Sequence, residues 1–80
     1  MDIDIALFGA KCGILQDYAR QQLQKLMGIL GPLNNAQAQS IADWINGEDI
    51  PLPESTLDAI VQVFPEMRYR RDYLSNTITI

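Results

Sequence analysis

Histidine is absent from this chain, cysteine occurs once, and only six lysines and arginines stand against ten aspartates and glutamates. Each shortage narrows the function. Without histidine the commonest general base and metal ligand is missing, and Ser40, Ser55 and Ser75 have no such partner to activate them. The lone Cys12 cannot close an intramolecular disulfide, so no oxidising compartment is needed, and a small, partly buried side chain is its expected role. The five glycines, at 9, 13, 28, 31 and 47, are too dispersed for a phosphate-cradling loop. No run approaches the ~20 apolar residues that span a bilayer. Met1-Asp2-Ile3-Asp4 is not the cationic opening of a secretory leader. These absences lead us to expect a cytoplasmic protein that is not an enzyme, with no cofactor, no metal, no membrane association and no small-molecule substrate.

The chain has 80 residues, 48% of them hydrophobic, and a net charge of −4. That composition predicts one folded domain over 1–80, with a core small enough to gain from self-association. The charge has the wrong sign for a protein whose affinity comes mainly from phosphate contacts, and suits a partner with a basic surface. Asp2 with Asp4, and Glu48 with Asp49, read as solvated charges rather than acid–base or metal pairs.

Helical periodicity dominates. Residues 3–12 form a short candidate, with Ile3, Leu7, Phe8 and Ala10 apolar. From Ile14 to Leu30 the signal is strong: Leu15, Ala19, Leu23, Leu26, Met27 and Leu30 recur at three- and four-residue intervals. Gln16, Asp17, Arg20, Gln21, Gln24 and Lys25 lie opposite, and Gly31-Pro32 stops the helix. Asn34 or Asn35 caps the next one, which carries Ala38, Ile41, Trp44 and Ile45 inward. It ends at Asn46-Gly47, where glycine takes a positive φ without a Cβ clash. Pro51 and Pro53 bar its continuation. A fourth helix starts near Pro53-Glu54-Ser55, lays Leu57, Ile60, Val61 and Phe64 on one stripe, and stops before Pro65. Residues 66–74 add a turn or two, with Met67 and Leu74 apolar. Thr77-Ile78-Thr79-Ile80 alternates as a strand does. The expectation is an all-α single small domain of four or five short helices with an irregular or strand-like C-terminal tail over 75–80.

Ser40-Ile41-Ala42-Asp43-Trp44-Ile45-Asn46-Gly47, the loop Ile50-Pro51-Leu52-Pro53 and Thr56-Leu57-Asp58-Ala59-Ile60 resemble the second half of the helix-turn-helix domain of Cro and phage-repressor type regulators. The resemblance lies mainly over residues 36–64. Phe64-Pro65-Glu66-Met67 with Tyr73-Leu74 is similar to that family's exit from the packing helix. Gly13-Ile14-Leu15-Gln16-Asp17-Tyr18-Ala19 is similar to its first motif helix, giving a helix-turn-helix core of 14–64. The interval from Ala19 to Gly47 is longer than the family's, and Leu26–Leu33 does not read as a three- or four-residue turn. Either the first helix is extended or the upstream match is coincidental.

The resemblance implies a small, dimeric DNA-binding transcriptional regulator of phage or plasmid type. Its base-reading residues would be Asn34, Asn35, Gln37, Gln39 and Ser40, since side-chain amides pair with adenine in the major groove. Arg20, Lys25, Arg68, Arg70 and Arg71 would contact phosphate or a partner's carboxylates. The same residues also support plainer roles. Asn34-Asn35 is an ordinary cap, Gln37 and Gln39 an ordinary solvated face, and Glu66 and Asp72 flank the arginines closely enough to neutralise them. Trp44 reads as core. The alternative function is an acidic protein-interaction module or inhibitor that occupies a basic surface, such as an anti-defence protein obstructing a nucleic-acid-binding complex. A third reading is an oligomer seam of Leu15, Ala19, Leu23, Leu26 and Leu30, which would make a homodimer.

Overall fold

The computed structural model describes residues 2–72. It is an all-α single small domain, and α1 (Ile5–Cys12), α2 (Gln16–Leu30), α3 (Asn35–Ile45) and α4 (Glu54–Val63) follow in order. A 3₁₀ turn, Pro65–Met67, leads into a helical stretch over 68–72. The strand-like tail expected over 75–80, with Tyr73 and Leu74 before it, lies outside the described residues.

Local chemistry sets the boundaries. Asp4 caps α1, its carboxylate accepting the Leu7 N–H at 3.0 Å. Gly13, at φ 70°, ends that helix as the Ile14 N–H turns back to the Gly9 carbonyl at 3.0 Å. The chain therefore enters α2 at Gln16 rather than at Ile14, with Leu15 as a cap that contributes no side-chain bond. Asn34 caps α3, Gly47 follows it at φ 107°, and Pro53 precedes α4.

The helices pack with α1 as the shared neighbour: it lies against both α2 and α3, while α2 also lies against α4. Phe8, Ala19, Leu23, Leu26, Ala38, Ile41, Ala42, Trp44, Ala59 and Ile60 are buried in one cluster. Each large side chain so placed contributes roughly 1.5–3 kcal/mol relative to exposure. The seam considered for self-pairing is thus largely internal, because Ala19, Leu23 and Leu26 face the chain's own core.

Three side chains differ from the periodic reading. Leu15 is 82% exposed, because its position at the mouth of α2 lies before the helical register that turns Ala19 inward. Val61 is half-buried, and α4 instead turns Ala59, Ile60 and Val63 to the core. Gln22 is 2% exposed in the middle of α2's apolar face, its Nε2 donating to the Val63 carbonyl at 2.9 Å. That bond satisfies a carbonyl at the end of α4, a group helix geometry leaves without an internal partner.

The tightest constraint is at Gly9. A Cβ there would meet the Ala19 Cβ and the Ile14 carbonyl oxygen, both at 3.2 Å. The Gly9→Val substitution is expected to lower stability by about 1–3 kcal/mol through overpacking, read as a lower urea midpoint at unchanged slope. Gly28 has nothing within 4 Å of an added Cβ. Gly28→Ala should raise stability by up to ~1 kcal/mol through helix propensity alone, read as a higher urea midpoint.

Candidate functional site

The side chains named as base readers gather at the start of α3, where they bond to the chain itself. Asn34 Oδ1 accepts the Gln37 N–H at 2.8 Å, and Gln37 Oε1 accepts the Asn34 N–H at 2.9 Å. This reciprocal capping box satisfies two backbone donors that the helix start leaves free. Asn35 Oδ1 accepts the Asp4 N–H at 2.9 Å and Gln39 Nε2 at 3.2 Å. Gln39 Nε2 also donates to the Asp4 carbonyl at 3.0 Å, and Gln39 is only 8% exposed. The segment entering α1 is thereby tied to the first turns of α3.

These bonds bear directly on what the amides can do. Paired recognition of adenine uses both the oxygen and the NH2 of one side-chain amide. In Asn34, Asn35 and Gln37 the oxygen is already engaged, and in Gln39 the NH2 is engaged and buried. Asn34, Asn35 and Gln37 remain solvent-exposed, and Ser40 is half-buried. Among the described residues, no hydrogen bond or ion pair joins this group to Arg20, Lys25, Arg68, Arg70 or Arg71.

The cations are held elsewhere. Lys11 pairs with Asp43 at 2.8 Å, joining α1 to α3, and Arg20 approaches Asp17 at 3.5 Å on the exposed side of α2. Arg70 lies over the Trp44 ring, 4.8 Å from its centroid, and donates to the Glu48 carbonyl at 2.8 Å. Arg71 pairs with Asp58 and Glu54 in the first turns of α4. The hydrogen bonds it donates to Asp58 and then Glu54 hold its guanidinium more firmly protonated than usual. Neutralisation of the cluster by the flanking Glu66 and Asp72 is therefore replaced by bonds across the fold, because the helical stretch 68–72 turns Arg70 and Arg71 onto α3 and α4. Lys25 and Arg68 are exposed and enter no ion pair among the described residues.

A cleft of about 270 Å³ opens between α3 and the start of α4. Leu33, Ala36, Ile41, Leu52 and Pro53 give it an apolar lining, and Gln37, Ser40 and Thr56 supply polar groups. Two of the proposed base readers, Gln37 and Ser40, thus form part of a concave wall. Sequence periodicity missed this cleft, since it depends on where the proline loop lies relative to α3. It also missed the burial of Gln22 and Gln39. For Gln22 a signal existed, because it stands three residues after Ala19 and four before Leu26.

Among the described residues, no group of three or more Cys, Asp or Glu side chains is placed to hold a metal ion. No described helix is long and apolar enough to cross a membrane. Cys12 is half-buried, and burial pushes its thiol up to about 11 against a smaller opposing effect of Lys11.

Two measurements follow from this geometry. Asn34→Ala should lower the thermal midpoint by roughly 4–8 °C, the effect of losing a cap worth about 1 kcal/mol in a domain of this size. A side chain held ready only for a ligand would leave the midpoint unchanged. Since the thiolate is the reactive form, iodoacetamide at about pH 8 should modify Cys12 at least about a hundredfold more slowly in the folded protein than in urea. Compared with known proteins, the chain matches no family model, no curated protein and no solved structure.

Proposed function

We propose that this protein is a small interaction module whose acidic exterior recognises a basic surface on another protein, with the α3–α4 cleft receiving an apolar side chain of that partner. The observation that carries this reading is the internal engagement of the cations. Lys11, Arg20, Arg70 and Arg71 all contact the chain's own acceptors or aromatic ring. Asp2, Glu48, Asp49, Glu66 and Asp72 are exposed and have no cationic partner among the described residues. The outward field is therefore negative, and such a field steers a basic partner into register. The cleft adds what charge lacks, a mostly apolar concavity for one anchor. A nucleic-acid-binding protein presents such a basic surface, so obstruction of a nucleic-acid-binding complex fits this reading.

A second reading keeps the helix-turn-helix regulator, and one observation favours it. Residues 31–34 alone join α2 to α3, within the three- or four-residue turn of that motif, despite the sequence there not reading as one. Exposed Gln37, Lys25 and Arg68 would then be the contacts available to DNA. Against it stand the engaged amides of Asn34, Asn35 and Gln39 and the scarcity of free cations.

Fluorescence anisotropy separates the two. A labelled helical peptide bearing arginines around a single leucine is expected to bind saturably and to weaken with salt. Ser40→Arg, which fills and recharges the cleft wall, should reduce that affinity by about tenfold, equivalent to ~1.4 kcal/mol. Equal binding by wild type and Ser40→Arg would reject the cleft as the docking site. Saturable, sequence-dependent binding to duplex DNA that is lost in Gln37→Ala would replace the first reading with the second.

A further inference from the structure

Two adjacent arginines of the helical stretch 68–72 grip the two ends of one loop. Arg70 donates to the carbonyl of Glu48, just after α3, and Arg71 pairs with Glu54 and Asp58 at the start of α4. Between those points run residues 49–53, and Leu52 and Pro53 of this segment line the cleft. The Glu48 carbonyl that receives Arg70 also accepts the Ile50 N–H at 3.0 Å, so Arg70 braces a tight turn at the base of that wall. The same guanidinium lies over Trp44 of α3, the helix whose Ala36, Gln37, Ser40 and Ile41 form the opposite wall. One short helical stretch thus contacts α3, the loop and α4 together.

We propose that residues 68–72 are a strap that sets the shape of the α3–α4 cleft, and that drawing Arg71 away to a competing anion loosens the loop wall. The inference rests on the reading of that cleft as a docking site. The fastening is of a kind that releases. Glu54 and Asp58 are exposed carboxylates, where ion pairs are weak and screened by salt. Arg70 Nε is buried without an acceptor, so Arg70 is held by one carbonyl and a ring face alone. Contacts of this sort open locally, at a free energy below that of global unfolding. An acidic segment of the partner supplies the competing charge, whereas its apolar anchor enters the cleft.

The Glu48 and Ile50 amides report the state of the wall, because both are hydrogen-bonded, to the Asp43 and Glu48 carbonyls respectively. Amide hydrogen exchange of the full chain is expected to speed up at these two positions by at least about tenfold in Arg71→Gln. The double variant Glu54→Gln/Asp58→Asn, which alters only exposed carboxylates, should do the same. So should wild type in about 1 M NaCl, where the screening length falls to about 3 Å. The Leu23 and Leu26 amides of α2 should keep their protection throughout. Unchanged exchange at Glu48 and Ile50, or an increase matched in α2, would overturn the strap. Because no peptide is needed, faster loop exchange without peptide binding would reject only the docking site, and peptide binding with an unresponsive loop would reject only the strap.

Discussion

The close approach of α1 to α2 at Gly9 is the constraint on which the rest of the structure depends. With no Cβ, Gly9 lets the α1 backbone lie against Ala19 and the Ile14 carbonyl. Phe8, its neighbour, is completely buried as a result. On its other side α1 packs against α3. The small residues Ala38 and Ala42 then keep α3 close to the core. An 80-residue chain has a small core, and this one compensates by drawing its backbones together at glycine and alanine.

Polar side chains complete what apolar packing begins. Gln22 links α2 to the end of α4, while Gln39 and Asn35 link α3 to the segment before α1. The Gln22 and Asn35 bonds satisfy backbone groups that a helix terminus leaves open, the Val63 carbonyl and the Asp4 N–H, while Gln39 adds a second donor to an Asp4 carbonyl that already accepts the Phe8 N–H. In a buried setting, a polar group left without its partner costs more than the bond itself contributes. The glutamines therefore specify which helix end meets which, and they tie together elements far apart in the chain.

The same economy decides the character of the surface. A protein with so few cations has placed half of them in contacts that join elements: Lys11 joins α1 to α3, Arg70 joins the last helical stretch to α3, and Arg71 joins it to α4. Among the described residues the exposed carboxylates outnumber the exposed cations Arg20, Lys25 and Arg68, and the cleft between α3 and α4 is mostly apolar. The exposed, unpaired carboxylates are what the proposal of a basic partner rests on.

Sequence alone determined the helices and most of their ends, because these depend on neighbours within a turn or two; the start of α2 at Gln16 rather than Ile14 is the exception. Gly31-Pro32, Asn34 with Gln37, Asn46-Gly47 and Pro53 act through backbone dihedrals and free N–H groups that no distant residue needs to supply. Trp44, with Ile41 on its face, was likewise legible as core from spacing. The tertiary structure alone decided which polar residues are available for function. Gln39 looked like a reader or a solvated face until Asp4 arrived from the start of the chain, and Arg70 and Arg71 looked like phosphate contacts or partners of Glu66 and Asp72 until the fold brought Trp44, Glu48, Glu54 and Asp58 beneath them. The cleft belongs to the same class, since its walls come from α3 and a loop whose relative placement no local pattern encodes. Hydrogen bonds and ion pairs between distant residues cost chain entropy to assemble, and only the packed core brings their partners within reach.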